Sequence, residues 1–322
     1  MKKVLARAYA NIALVKYWGK HTVRGNGPAT PSISLCLDAL QTDTEVSRIK
    51  NDFDEVYLDN KVADEKTTKR IVSYLDIWRK EKILKDHFRI SSVNSFPTAS
   101  GLASSASGFA ALATALAPFA EIIISRTQLS QWARMGSGSA ARSVPGGISA
   151  LPSGGNPSAR KVIGYQDVPW GMVVCVVDAP SKDVGSTEGM ILSSKTSPYY
   201  NAWVKTAKTD YSLMLKSLKE GDFTSVGKIT EENALAMHSC MIATRPSLVY
   251  WSGVTIELLH AVKIWRKNGL ETYATIDAGP HVVFLAKRSD LNRVESEAKK
   301  IDGVLNTFIA NPAPGAEVIS WE

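Results

Sequence analysis

Four segments carry side chains able to do chemistry. The first, NIALVKYWGK (11–20), holds Asn11, Lys16, Tyr17 and Lys20. Read as a strand, it puts Lys16, Trp18 and Lys20 on one face, where two ammonium groups could converge on one anion. An edge strand with solvated lysines is the plainer alternative. The second, FPTASGLASSASGFAALATAL (96–116), runs from small residues into an apolar helix. A helix start leaves backbone N–H groups unpaired, and its dipole adds positive potential, which together make an anion site. Gly101 permits close approach, and Ser100, Ser104, Ser105 and Ser107 offer further donors. No GxxxxGK[ST] occurs in the chain, so this is not a P-loop, and a serine-capped helix start is the simpler alternative.

The third segment, SGSAARS (137–143), carries Arg142, whose planar fork suits a carboxylate or phosphate, although taken alone it reads first as a surface arginine. In the fourth, ATIDAGPHVVF (274–284), Asp277 is a lone acid among apolar neighbours at a strand end. Either it caps the AGP turn, or it sits desolvated in a cleft as a base or electrostatic element. His21, His87, His238, His260 and His281 show no metal-ligand spacing, and His238 and His260 fall in helical patterns that fit structural histidines.

Bulk properties bound the partners. The formal net charge of +7 suits an anionic ligand, but lysine and arginine are scattered in short groups beside acids, with no basic tail and no RNP-like aromatic motif. That footprint excludes nucleic acid as the expected partner and favours a small polyanion such as a phosphorylated metabolite. Three cysteines (Cys36, Cys175, Cys240), far apart and odd in number, fit free buried thiols in a reducing cytoplasm. Neither a signal-peptide core nor an apolar run of the roughly 20 residues that cross a bilayer is present, so the expectation is a cytosolic protein with no membrane partner.

These residues need elements to hold them. Short alternating runs over the first sixty residues predict strands, with RGNGPATP (24–31) as a loop. EKTTKRIVSYLDIWRKEK has helical spacing through Ile71, Leu75 and Trp78, and HFRISSVNSFP returns to strand. TQLSQWARMG predicts a short helix with Thr127 as N-cap and Gly136 as its stop, followed by strands around Ile148 and GMVVCVVDAP. Residues 197–268 are mostly helical, and then come a strand, a Gly-Pro turn, a second strand, a closing helix and two late strands. Blocks of strands and helices without strict alternation predict an α+β fold in two lobes, divided near residue 178.

The four segments, in this order, closely resemble the diphosphomevalonate decarboxylases of the GHMP kinase superfamily, and SKDVGSTEGM (181–190) followed by KTSPYY is a fifth matching segment. The resemblance implies a two-lobed GHMP kinase-like α+β fold, with an ATP-binding lobe over 1–178, a second lobe over 179–322 and the active site in the cleft between them. It implies ATP-dependent decarboxylation of (R)-5-diphosphomevalonate to isopentenyl diphosphate, with Mg²⁺ accompanying the nucleotide, in a homodimer. The loop residues Pro97, Ser100, Gly101, Leu102, Ala103, Ser104, Ser105 and Ser107 would then surround the ATP phosphates, with Ser104 nearest the transferred group. Asp277 matches the family's catalytic aspartate, Arg142 the arginine that holds the substrate carboxylate. Asn11, Lys16, Tyr17, Lys20, Ser139 and Ser186 fall on substrate-site positions, Lys16 among the catalytic group. No metal ligand is assigned.

Some positions depart from the family pattern: Met135 replaces an arginine, Ala141 a cysteine and His281 an asparagine, while Thr187 stands where some bacterial members carry arginine. These departures keep a phosphomevalonate decarboxylase or a mevalonate 3-kinase open as the second reading. A silent nucleotide or RNA binder is the alternative from another class.

Overall fold

The computed structural model describes residues 2–22, 24–96, 104–178 and 183–322. Two antiparallel-dominated sheets organise the chain, and the expected α+β class is what the elements form.

The first sheet has eight strands. Its spine is β1 (Lys3–Val15) beside the 18-residue β4 (Ser32–Ile49), paired antiparallel from Lys3 against Ser47 to Val15 against Ile33. Between them in the chain, β2 (Lys20–Thr22) and β3 (Gly27–Pro28) form a separate two-stranded ribbon, so the expected loop over 24–31 holds a short strand that pairs with residues before it. Beyond β4 come β5 (Glu55–Leu58), β6 (Lys61–Val62), helix α1 (Glu65–Lys80) and β7 (His87–Asn94), which pairs with the second half of β4.

β4 changes character along its length for a physical reason. Its first residues, SISLCL, are buried on both faces, and alternation sends Ile33, Leu35 and Leu37 into an aliphatic cluster while Ser32, Ser34 and Cys36 face the other way. Each fully buried aliphatic side chain contributes roughly 1.5–3 kcal/mol. Its second half alternates buried and solvated residues, with Thr42, Thr44 and Val46 turned inward.

Against that inner face lies α2 (Ser104–Leu116), whose run from Phe109 to Leu116 is buried throughout. α3 (Arg126–Gly136) and the single-turn α4 (Ala140–Ser143) cover it. The cap of α3 is Ser125, which accepts from the Gln128 N–H while Gln128 returns the bond, so Thr127 is one residue inside the first turn rather than the N-cap. Gly136 is the last residue of α3, and its constraint is steric: a Cβ there would lie 2.0 Å from the Phe109 ring. β8 (Ile148–Leu151) pairs with the start of β4, and β9 (Arg160–Ile163) with β8.

The second sheet has the order β11-β12-β10-β13. It is built from β10 (Trp170–Val177), β11 (Thr272–Ile276), β12 (Val282–Lys287) and β13 (Val304–Ala310). Met172 and Val174 of β10 enter the aliphatic cluster under β4, whereas Val173 and Cys175 pack on the other side, so both faces are covered. That double burial explains the unbroken apolar run of GMVVCVV. Four helices precede β11: α5 (Ser186–Thr196), α6 (Tyr200–Glu220), α7 (Phe223–Ile242) and α8 (Gly253–Lys267). α9 (Leu291–Ala298) follows β12, and β14 (Glu317–Trp321) returns to pair with β1 in the first sheet. β10 thus lies before residue 178 but pairs in the second sheet, and β14 crosses back. The three cysteines are buried and free, and among the described residues no helix is long and apolar enough to cross a membrane.

Candidate functional site

The site forms where the end of β1 meets the end of β11. β1 stops at Val15, because the next N–H, that of Lys16, is taken by the Asn233 side chain at 2.7 Å instead of by a strand. The segment Lys16–Gly19 therefore does not continue the strand, and the shared face expected for Lys16, Trp18 and Lys20 is not formed. Trp18 turns into a cluster of helical residues, where Trp203 Nε1 donates to its carbonyl at 2.8 Å.

Lys16 and Asp277 meet across 261 positions of sequence: Nζ lies 2.6 Å from Oδ1, with the Lys16 side chain 1% exposed and that of Asp277 30%. Burial pushes the Lys16 ammonium below its ordinary range, the Asp277 charge opposes that fall, and Arg142 adds to it. Nor does Asp277 cap the AGP turn with its side chain: its carbonyl accepts the Gly279 N–H, and the carboxylate is left for Lys16 and, in part, for solvent.

Arg142 is buried in α4 and faces the polar side of β4. Nε donates to Ser34 Oγ at 2.8 Å and to Asn11 Oδ1 at 3.3 Å, and Nη1 to Ser32 Oγ at 2.7 Å. Every one of these acceptors is neutral, and among the described residues no carboxylate pairs with it. Burial lowers its pKa to about 10, against the attraction of Asp277. Asn11 locks the arrangement by donating to the Ser139 carbonyl at 3.0 Å and to Ser143 Oγ at 2.8 Å.

A hydroxyl chain leads from here to the start of α2: Ser139 Oγ to Ser137 Oγ at 3.3 Å, and Ser137 Oγ to Ser105 Oγ at 3.2 Å. Ser104 and Ser105 are half-buried in the first turn of α2, which has no acidic residue to offset the helix dipole. Ser107 does something else. It is fully buried, accepts from Thr42 at 2.6 Å and donates to the Ser104 carbonyl at 3.3 Å, so it ties the helix start to β4. Pro97, Ser100, Gly101, Leu102 and Ala103 lie outside the described residues.

Tyr17 and Lys20 form a second group, organised by Asn26. The Tyr17 hydroxyl donates to the Asn26 carbonyl at 3.1 Å and Lys20 Nζ to its Oδ1 at 2.7 Å. Asn26 has φ of 53° and donates to the carbonyls of Arg134 and Met135, at 3.1 and 2.9 Å. Burial first, then the charge of Arg70, lowers the Lys20 pKa, and burial pushes the Tyr17 phenol up to about 12. Gly138 leaves room for the Tyr17 ring, since a Cβ there would lie 2.5 Å from the hydroxyl. Ser186 opens α5 and is half-buried, one turn before Gly189, which packs on Trp18; no hydrogen bond joins it to the other site residues among those described.

Sequence reasoning passed over Asn26, Ser32, Ser34, Ser137 and Asn233. Three of these had a signal: serines two apart at Ser32 and Ser34 mark a polar face on a buried strand, and Asn26 between glycines marks a left-handed turn. No group of three or more His, Cys, Asp or Glu side chains among the described residues could hold a metal by itself.

The chain is similar to known proteins along most of its length. Residues 8–161 match the model of the diphosphomevalonate decarboxylase-like N-terminal domain, and residues 172–307 that of the mevalonate 5-diphosphate decarboxylase C-terminal domain. Diphosphomevalonate decarboxylase mvd1 of Aspergillus fumigatus is 33% identical, over 92% of this chain and 80% of its own length. The human diphosphomevalonate decarboxylase is 32% identical, over 87% of this chain and 76% of its own. Mevalonate diphosphate decarboxylase from Staphylococcus aureus superposes with a TM-score of 0.94 at 32% identity, covering 99% of this chain and 98% of that one. The structure of MDDEF in complex with MVAPP, AMPPCP and magnesium superposes at 0.93 with 33% identity, covering 99% of both chains.

Proposed function

The chain belongs to the diphosphomevalonate decarboxylase family, and from that premise we propose that it converts (R)-5-diphosphomevalonate and ATP to isopentenyl diphosphate, ADP, phosphate and CO2. The observation that carries this reading is the constellation of one half-buried acid, Asp277, and two buried cations, Lys16 and Arg142, in which the arginine donates only to neutral partners.

The chemistry requires such a set. A tertiary 3-hydroxyl leaves poorly, so the reaction first phosphorylates it. Asp277, with its carboxylate partly open to the cleft and one oxygen held by Lys16, stands beside that hydroxyl to take its proton and then to favour the positive charge that develops at C3. Arg142 holds the C1 carboxylate so that, as the C3–O bond to phosphate breaks, the C1–C2 bond breaks too and its electron pair forms the C2–C3 alkene while CO2 departs. Asn11 and Ser139 keep Arg142 in place, and Lys20 and Tyr17 hold the 5-phosphates, with Ser186 at the same end.

The start of α2, with Ser104 and Ser105 and no acid in its first turn, fits the phosphates of ATP, and Ser104 is assigned to the transferred group. Pro97, Ser100, Gly101, Leu102 and Ala103 complete that loop in this reading. Ser107 anchors the loop through Thr42 rather than meeting the nucleotide. Mg²⁺ fits as an ion held mainly by the phosphates, since one or two carboxylates suffice for it and no protein-built cage is found among the described residues. Bound with the nucleotide, it would neutralise phosphate charge. We also assign the protein to the cytoplasm as a homodimer without a nucleic-acid partner, and keep the two-lobe division at residue 178, with β10 and β14 as the elements that cross it.

The test is ATP consumption and CO2 release, followed in parallel on mevalonate, its 5-phosphate and its 5-diphosphate. Two charge-assisted contacts to the second phosphate, at roughly 1.5–3 kcal/mol each, predict at least about 10²-fold higher kcat/KM for the diphosphate. A preference for the monophosphate would make the protein a phosphomevalonate decarboxylase. ATP consumption without CO2 would make it a 3-kinase.

A further inference from the structure

α7 keeps polar side chains on surfaces where a core helix normally presents apolar ones. Glu231, Asn233 and His238 are 8%, 0% and 1% exposed, and each ends on a backbone group of the strands that carry the reacting pair. Glu231 accepts the Ala274 N–H at 2.9 Å; β11 is the edge of its sheet, and this N–H points away from β12. Asn233 accepts the Lys16 N–H at 2.7 Å, and its amide is oriented by donating to Asp210 Oδ2 at 2.8 Å. His238 Nε2 donates to the Asp277 carbonyl at 3.1 Å, and its ring lies against Trp251 with centroids 4.7 Å apart.

We propose that α7 positions the reacting pair: Asn233 fixes the backbone of Lys16 and His238 fixes the backbone of Asp277, so one rigid helix sets the contact between their side chains. The inference rests on the reading of Lys16 and Asp277 as that pair. The two residues come from different sheets, and nothing in either sheet alone determines their separation. Asn233 and His238, about 7.5 Å apart along the helix axis, bracket the meeting point from behind. A displacement of about 1 Å at a reacting group costs on the order of 10²-fold in rate, so a shared template matters more to turnover than to folding.

A purely structural role predicts different behaviour. Lys16 faces Asp277, Arg142 and the His238 ring, and of these only Asp277 holds its proton on against burial. Loosening the pair therefore lowers the pH at which Lys16 loses its charge, and the alkaline limb of the activity profile moves down. His238→Phe keeps a ring against Trp251 and removes the donor, whereas His238→Gln restores an N–H near the position of Nε2. Asn233→Leu removes the acceptor on the other side, so the test does not depend on one variant folding.

The measurements are kcat, both KM values, the pH profile and the thermal midpoint, with Asp277→Asn alongside. Expected for His238→Phe and Asn233→Leu is a 10- to 100-fold fall in kcat, KM within about threefold and an alkaline limb at lower pH. The Gln variant should recover most of the rate. Thermal midpoints that fall with kcat and the alkaline limb unmoved, while Asp277→Asn is inactive, would reduce α7 to scaffolding. Full activity of Asp277→Asn would instead remove the reading beneath.

Discussion

Arg142 and Arg266 both reach toward the interior, the first fully buried and the second partly exposed, and they are held in opposite ways. Arg266 on α8 closes on Glu231 through two parallel contacts of 2.7 and 2.9 Å, donates again to the Thr272 carbonyl at 2.8 Å, and lies over the Tyr273 ring. Arg142 is more deeply buried, 2% exposed, yet meets two serines and an asparagine. A closed carboxylate fork leaves no charge to offer and serves to tie α7, α8 and β11 together. An arginine whose charge is desolvated and answered only by neutral oxygens holds unspent attraction for an anion. Burial of charge thus has two meanings here, and the identity of the partners tells them apart.

Replacing the two arginines separates those meanings. Arg142→Gln should lower kcat/KM for the diphosphate substrate by about 10³-fold, the loss of two charge-assisted contacts. Its thermal midpoint should stay level or rise, because an unpaired buried charge is removed. A stable variant that turns over normally would end the contrast. Asp277→Asn should cut kcat by at least about 10²-fold with ATP affinity, measured by equilibrium binding, retained. Normal turnover in that folded variant would take Asp277 out of the reaction.

Arg266→Gln should do the reverse: about 2–3 kcal/mol lost in denaturant unfolding, because Glu231 keeps the Ala274 N–H but loses its counter-charge, while Arg266 itself is partly solvated. Turnover per folded molecule should stay within about threefold. The smallest effect comes from His238, a third way of burying a titratable group. Burial, then the Lys16 charge, lowers its pKa to about 4 from an ordinary 6.5, so the ring is neutral in the fold. Stability from this group is complete above the unfolded value and is lost as pH falls toward the folded one. The expected loss is about 2 kcal/mol between pH 7 and pH 5, absent in His238→Gln. Parallel pH dependence in the two proteins would show that His238 does not set it.

Helices and strands with clear periodicity were legible: Leu75 and Trp78 are buried on α1, and the apolar run of β10 is covered on both faces. The end of β1 was not, because the alternation continues past Val15 and the group that stops it, Asn233, lies 217 positions away. The cap of α3 was readable but misplaced: SRTQ carries the capping-box pattern at Ser125 and Gln128, and Thr127 is only another hydroxyl inside it. Within the site, a lone acid at a strand end could be singled out without any partner in view. That its carboxylate meets Lys16 rather than the local turn depends on how two sheets dock, which no local pattern encodes. Ser107 shows the limit of composition: a hydroxyl in a serine-rich loop looks like a ligand contact until Thr42 is found against it.

The 2.6 Å contact between Lys16 and Asp277 joins the end of a strand in one sheet to the end of a strand in the other. Competence is thus a property of the seam rather than of either half. A partial opening that parts the sheets while leaving each intact extinguishes the pair with little change in helical or strand content. As denaturant is raised, inactivation should run ahead of the circular-dichroism transition, and the enzyme's own turnover becomes the most sensitive gauge of whether the seam is shut.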